Sequence, residues 1–216
     1  MLSTIPFRLA LCGLLLTASP AVAQDANPKW FVRAGVTRLR LVDKIQLNYA
    51  GAPVPGAGIH TPTHYTPTVQ FGRFVADHFA IALTVGVPPH ISIYGRGALQ
   101  PYGKLAETTY GPAVLTAQYH PLRSGPIRPY IGAGAAYMII FSTKDGAFQN
   151  VSASNDLAPA LEGGTDVMLT QRVGLFFDVK KAFLGTTARG TFGGAPVVGQ
   201  VRLNPLALTT GIAVHF

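Results

Sequence analysis

Five ionisable side chains occupy positions where their charge would be costly unless it were paired. Each lies in a segment that alternates between two kinds of residue, and each falls on the parity opposite to most of the large apolar ones. They are Arg33, Glu162, Asp166, Asp178 and Lys180. An unpaired charge removed from water is strongly unfavourable, so two cations and three anions on one face should pair with one another. We predict structural ion pairs inside the fold, and a proton or ion relay is the alternative.

Groups that often carry catalysis or bind metals lack the spacing that such chemistry needs. None of the six histidines shows metal-ligand spacing on a helix or has a cysteine partner. Ser92 near His90 would suit a lipid-modifying enzyme, but no acidic residue is placed by any pattern to orient the pair. The sequence therefore predicts no enzyme, no cofactor and no metal. The histidines are His60, His64, His78, His90, His120 and His215.

The first residues have the features of a secretory signal peptide. Arg8 precedes an apolar run over residues 9–16, and Ala21 and Ala23 form a small-x-small cleavage pattern. The run is about half of the ~18 residues that a membrane-spanning helix needs. We predict a signal peptide over residues 1–23, cut after Ala23.

Composition limits what the exported chain can be. Its only cysteine is Cys12, so the mature part, residues 24–216, has no disulfide or thiolate chemistry and is expected to be one domain. The net charge is +8, but an exported chain rarely meets nucleic acid, and we expect no nucleic-acid partner. Anionic lipid headgroups, or water at an ordinary solvated surface, are the expected partners of its basic side chains.

The chain is apolar but contains no further segment that could span a membrane as a helix. Its mean hydropathy is +0.30 and only 12% of its residues are charged, yet no apolar run of ~18 residues follows the signal peptide. Such a chain buries its apolar surface in a soluble core or against lipid. In lipid the backbone is satisfied only by helices or by a closed barrel.

Strand periodicity recurs along the mature chain. From Phe79 to Val87 the odd positions are large and apolar and the even positions are small or polar, which is the period of a strand. The large parity predicts a lipid face that includes Ile81, Leu83, Val85, Ile139, Phe177, Val179, Leu208, Ile212 and Val214. Eight runs alternate in this way: 29–42, 64–75, 78–93, 107–121, 128–143, 157–170, 173–184 and 198–216.

The connections between these runs also alternate, between short turns and long segments. The short ones are 76–77, 122–127 and 171–172, and the long ones, rich in Gly, Pro, Ser and Asn, are 43–63, 94–106, 144–156 and 185–197. Outer-membrane barrels have short periplasmic turns and long external loops. The sequence thus predicts an eight-stranded antiparallel transmembrane β-barrel in the outer membrane of a Gram-negative bacterium.

Aromatic residues and the carboxyl terminus fit the same prediction. Gly211, Val214 and Phe216 form an alternating pattern with a terminal aromatic residue, which resembles the signal that barrel-assembly machinery reads; an ordinary amphipathic strand is the alternative. Aromatic residues near run ends or on the outward parity predict interfacial girdles. They are Trp30, Tyr65, Tyr119, Tyr130, Tyr137, Phe141 and Phe216.

Several stretches resemble the OmpW family in the same order along the chain. Residues 31–35 (FVRAG) are similar to its first strand, 128–134 (RPYIGAG) to its fifth, and 201–205 (VRLNP) with the Phe216 terminus to its last. The segments 77–93 and 111–119 match more loosely, and the long connections show no useful resemblance.

The resemblance implies a barrel with a narrow, largely apolar pocket that passes small hydrophobic molecules across the outer membrane. The family has no catalytic residues to carry over. We therefore predict a narrow channel or receptor for such molecules. Two alternatives are a structural or adhesive barrel that acts through its loops, and a lipid-modifying barrel enzyme.

Overall fold

The computed structural model describes residues 28–41 and 44–216, and it consists almost entirely of strands. The predicted signal peptide lies outside the described residues. Within that part of the chain no helix has the length and apolar character needed to cross a membrane. Eight strands form the barrel wall: β1 (Trp30–Arg40), β5 (His64–Phe74), β6 (Phe79–Gly86), β8 (Lys104–Tyr119), β9 (Ile127–Asp145), β11 (Asp156–Met168), β12 (Val173–Ala182) and β15 (Leu206–His215).

The eight strands are antiparallel and close on themselves, which confirms the predicted fold class. The ring runs β1-β5-β6-β8-β9-β11-β12-β15 and returns to β1. Phe31 pairs with His215 and Arg40 with Leu206, and backbone bonds of 2.8 and 2.9 Å join Trp30 and Phe216 in both directions. The first and last strands therefore leave no open edge to face lipid.

Side chains alternate between the outside and the lumen as the period of two requires. Of the nine predicted lipid-face residues, all are exposed except Ile139 and Val214, which are partly exposed. Their neighbours Ala80, Ala82 and Ala213 are at most 1% exposed. Large apolar side chains thus cover the outside, and small ones line the interior beside them.

The long connections are not loops, contrary to the prediction, because most of their residues are in strands. β8 and β9 are 16 and 19 residues long, more than the ~9–11 needed to cross a bilayer, so they also continue beyond it. The additional strands are β2 (Lys44–Tyr49), β3 (Ala52–Pro53), β4 (Ala57–His60), β7 (His90–Gly97), β10 (Gln149–Ala153), β13 (Gly185–Phe192) and β14 (Ala195–Arg202), and a short 3-10 helix spans Gln100–Tyr102. β10, β13, β14, β2 and β3 form a second sheet, whereas β4 and β7 extend the first.

Two predicted runs are divided by proline. The third run breaks between β6 and β7 at Pro88 and Pro89, which have no N–H to donate to the ladder. The eighth run breaks at Asn204, with a φ of 36°, and Pro205. Residues before that break belong to the second sheet, so the last barrel strand is shorter than predicted. We call the barrel end where β1 begins, β15 ends and the short turns lie the turn end, and the opposite end the sheet end.

Candidate functional site in the barrel lumen

The lumen near the turn end is crossed by a buried ion pair. Arg33 projects inward from β1 and Asp166 from β11. In the barrel wall, β15 and β12 lie between these two strands. Arg33 Nε lies 2.8 Å from Asp166 Oδ1, and Nη2 lies 2.8 Å from Oδ2. Both side chains have no solvent exposure. This two-point guanidinium–carboxylate contact joins opposite walls of the barrel.

Further groups surround the Arg33 guanidinium. Its Nη1 donates to Gln70 Oε1 at 2.6 Å, while His215 Nε2 lies 2.9 Å from Asp166 Oδ2. The guanidinium carbon lies 4.2 Å from the centre of the Phe31 ring and 4.0 Å from that of Tyr130. Such contacts satisfy the donors of a buried cation and stack its faces on aromatic rings.

A second group of charges lies beside the first. Lys180 Nζ is 2.8 Å from Glu162 Oε1 and 2.5 Å from Asp178 Oδ1. Gln70 Nε2 donates to Glu162 Oε1 at 2.7 Å, and Gln70 thereby connects the two groups. Thr116 donates to the other Glu162 oxygen at 2.6 Å. All five ionisable residues named from the sequence therefore lie together in the lumen, and we call them the ion network.

Tyr130 is one aromatic residue whose predicted position was wrong. It was expected in an interfacial girdle, but it is 1% exposed and lies in the lumen. Its hydroxyl donates to Asp178 Oδ2 at 3.0 Å, and its ring stacks on His120 at 5.2 Å between centres. The contact with Asp178 satisfies the hydroxyl, which is why the ring can be buried.

Aromatic rings close the turn end below the ion network. Phe31 and Phe74 meet edge to face with centres 5.6 Å apart, and His120 lies 4.8 Å from Phe74. Arg123 stacks on Phe74, with its guanidinium carbon 3.7 Å from the ring centre. Together with the ion network, these rings fill the lumen near the turn end.

Sequence reasoning missed the uncharged polar residues that surround the ion network. Gln70, Gln118 and Thr116 are each at most 3% exposed, and all are on inward positions of their strands. Their parity was the available signal, because a polar residue on the inward parity of a narrow barrel needs a partner there. His120 and His215 are buried among them, and the described residues hold no group of three His, Cys, Asp or Glu that could bind a metal.

The lumen towards the sheet end is apolar instead. A cavity of about 70 Å³ lies directly above the ion network. Thr37, Thr209 and Lys180 line it on the side of the ion network and form a polar floor. A second cavity of about 100 Å³ extends between the walls of the additional strands. Both cavities touch the side chains of Leu41, Tyr110, Met138 and Leu203. We call the two cavities together the apolar column.

A polar cleft lies where β2, β13 and β14 join the barrel. It has a volume of about 610 Å³, and Lys44, Gln46, Asp156 and Arg202 are among its lining residues. Val201 lines both this cleft and the upper cavity. Between the sheet end and the turn end, the lumen therefore changes from the apolar column to the ion network, and the polar cleft lies beside the upper part of the column.

Known proteins share this architecture. A model of the OmpW family matches residues 26–216. The chain belongs to the OmpW family. This member is 32% identical over 203 residues to the dibenzothiophene metabolism operon protein PahQ of Pseudomonas aeruginosa, with 94% of this chain and 95% of PahQ covered. It is 30% identical over 222 residues to the outer membrane protein AlkL of Ectopseudomonas oleovorans, with 98% and 96% covered.

A solved structure shows the same fold. The crystal structure of the outer membrane protein OprG from Pseudomonas aeruginosa superposes with a TM-score of 0.82 at 22% identity, covering 88% of this chain and 96% of OprG. The closed barrel, the family match and the similarity to the outer membrane protein AlkL together make this OmpW-family chain an outer-membrane β-barrel. The short turns of such barrels face the periplasm, so the sheet end faces outward from the cell.

The histidine that could suggest an enzyme has another partner, and Ser92 lies in a paired strand. His90 Nδ1 lies 2.6 Å from Thr109 Oγ1, and Ser92 lies opposite Glu107 in the register of β7 and β8. The Glu107 carboxylate instead accepts a hydrogen bond from Lys104 Nζ at 2.6 Å. The family consists of outer-membrane barrel proteins.

Proposed function

We propose that this protein is a narrow, passive conduit for small hydrophobic molecules that enter from outside the cell. The observation that carries the proposal is the apolar column, which is closed below by the ion network and shares Val201 with the polar cleft. An apolar solute gains by leaving water for such a lining, at roughly 25 cal/mol per Å² of buried apolar surface. The name of PahQ refers to dibenzothiophene metabolism, and dibenzothiophene is an apolar aromatic compound.

The ion network has a structural role in this proposal. Its members fill the lumen and satisfy one another, and passage straight through would require breaking contacts such as the 2.8 Å pair between Arg33 and Asp166. The column is instead bounded on one side by the interrupted ladder at Val87, Pro89 and Pro112. The pairing of this wall with β8 stops at Val85 and resumes at His90, and we infer that the solute leaves sideways through the gap.

Uptake of an apolar dye by whole cells tests the conduit. N-phenylnaphthylamine becomes fluorescent when it leaves water, and the initial rate of its fluorescence rise reports passage through the outer membrane. Ala207 lines the column, and its neighbour Leu208 faces outward. We expect Ala207→Phe to reduce the rate severalfold and Leu208→Phe, the matched control, to leave it unchanged when both variants reach the membrane at parental levels.

An unchanged rate in folded Ala207→Phe would contradict the conduit. It would favour the alternative, a barrel that acts through its external strands. In that case the function would survive blocking of the lumen but not removal of the β13–β14 hairpin, which spans Gly185–Arg202.

Assembly is a second part of the proposal. We infer that Gly211, Val214 and Phe216 form the signal read by the barrel-assembly machinery. Phe216 is 58% exposed at the end of the closing strand, where a receptor could reach its ring. Gly211 lies opposite Gly35, and a Cβ atom there would lie 2.1 Å from the Ala34 carbonyl oxygen, so this glycine is also needed for the close approach of β1 and β15.

A further inference from the structure

A groove runs across the outside of the barrel wall. It has a volume of about 600 Å³ and crosses β5, β1, β15, β12 and β11. One row of register-paired residues crosses it: Tyr65, Arg38, Leu208, Val179 and Gly163. Gly163 leaves a gap in the row, because a Cβ atom there would meet only the Tyr130 carbonyl oxygen, at 4.0 Å. We call this feature the outer groove.

Basic side chains gather at the edge of the outer groove nearest the sheet end. Arg38 is exposed within the groove, and Arg40 and Lys181 flank Leu206 in the next outward-facing row. Among the described residues, neither Arg38 nor Arg40 has a side-chain hydrogen bond or ion pair. Lys181 Nζ donates one hydrogen bond, at 2.6 Å, to the Asn204 carbonyl, and an ammonium group has two further donors.

The height of these cations places them at the outer edge of the bilayer. At about 3.3 Å per residue and a strand tilt of about 40°, the stretch from Trp30 to Arg38 rises about 20 Å along the barrel axis. The apolar band of such barrels is about 25 Å tall. With Trp30 at the periplasmic interface, the Arg38 backbone lies about 5 Å inside the outer edge of the apolar band, where a long side chain reaches the headgroups, and Arg40, at about 25 Å, lies at that edge.

The occupant of this site has to be apolar along the groove and anionic at its edge. Val36, Phe177 and Val179 form walls that suit an acyl chain, and three cations suit a phosphate, which arginine binds with two parallel hydrogen bonds. We propose that the outer groove binds one phosphate-bearing lipid of the outer leaflet, of the lipid A class, with its phosphate on Arg38, Arg40 and Lys181 and a chain over Gly163. Asp178 also lines the groove, but its side chain is buried in the lumen, where its carboxylate binds Tyr130 and Lys180. A second copy of the protein would therefore offer these cations no accessible anion from the groove, which is why we commit to a lipid.

Native mass spectrometry of the purified full chain in detergent tests the site, with diphosphorylated lipid A as the probe. Each basic residue near an anionic lipid surface strengthens binding about fivefold, so replacing Arg38, Arg40 and Lys181 together by Gln should weaken binding about 100-fold. The matched control replaces Lys29, Arg73 and Arg172 by Gln, which removes the same charge at the turn end. We expect the control to bind as the parent does.

A third variant tests the chain-binding part without changing any charge. Gly163→Leu fills the groove, and we expect it to weaken lipid A binding severalfold. Heat-modifiable migration on gels will show that each variant is folded. If the triple variant fails to fold, Arg38→Gln and Arg40→Gln singly should each lose about fivefold.

Four results would overturn the proposal. They are undiminished binding by the folded charge variants, an equal loss in the turn-end control, equal binding of dephosphorylated lipid A by the parent, and undiminished binding by folded Gly163→Leu. Dimers of the parent that disappear in Gly163→Leu would assign the groove to a second copy instead.

Discussion

The two halves of the lumen are enclosed by the same eight strands, but one is filled by side chains and the other is hollow. Near the turn end, long charged side chains from opposite walls meet, as Arg33 and Asp166 do at 2.8 Å. Near the sheet end, Ala136 and Ala182 supply short side chains, and space remains beside them. An eight-stranded barrel is only just wide enough for its own side chains. The length and charge of the inward residues therefore decide whether a given level is closed or hollow.

The largest effect is expected when the barrel is prevented from closing, since neither half of the lumen exists in an open sheet. Deleting Phe216 removes the backbone bonds of 2.8 and 2.9 Å to Trp30 and the proposed assembly signal. We expect the secreted chain to remain in the periplasm, degraded or aggregated. Outer-membrane fractionation and heat-modifiable migration on gels would measure this. Parental levels of folded, truncated protein in the outer membrane would exclude the signal.

Removing one charge tests the closed half. Asp166→Ala leaves Arg33 buried without its two-point partner, and breaking a buried pair in this way costs about 3–5 kcal/mol. Urea unfolding in lipid vesicles should show that loss in the free energy of unfolding. Asp77→Ala, an exposed change at the same end, should stay within about 0.5 kcal/mol of the parent.

A double variant sharpens the same test. Replacing Arg33 by Met and Asp166 by Leu removes both charges, so most of the stability should return. A single Asp166→Ala variant that unfolds at the parental urea concentration would show that the ion network is not a structural element.

The comparison also requires that the strand parity is assigned correctly. Leu83 faces outward and is 41% exposed, so Leu83→Arg places a charge in lipid and should cost about 2–4 kcal/mol. Thr84 faces inward and its hydroxyl accepts a bond of 3.0 Å from Gln70, which Thr84→Ser retains. The same unfolding measurement should find Thr84→Ser close to the parent. The reverse order of the two variants would mean that the faces are exchanged.

The smallest effect is expected at the boundary between the halves. The Thr37 hydroxyl lies 2.8 Å from those of Thr68 and Thr209. Thr37→Val breaks both contacts and should cost about 1 kcal/mol in the free energy of unfolding. Thr210→Val, on the exposed face of β15, serves as the control and should cost nothing. Equal stability of Thr37→Val and the parent would show that this hydroxyl floor contributes little.

Local alternation was enough to predict much of the barrel. The period of two identified the eight strands, placed residues such as Leu83 outside, and put the five ionisable residues on the inward parity. It failed where proline interrupts a run, as at Pro205, and where polar composition suggested loops. Strands outside the membrane satisfy their backbone with a neighbouring strand while their side chains meet water, so composition alone does not distinguish them from loops.

The sequence by itself determined which residues face inward, because the side-chain direction in a strand follows from position along the chain. It could not determine which inward residues meet. Arg33 and Asp166 are 133 positions apart, and only the closure of β15 on β1 and the register of the intervening strands bring them together. The same closure decides that Tyr130 lies beneath Arg33 in the lumen and that Arg38, Arg40 and Lys181 gather outside. These contacts join residues of different strands, and they depend on the closure of the barrel and on the register of every strand pair between them.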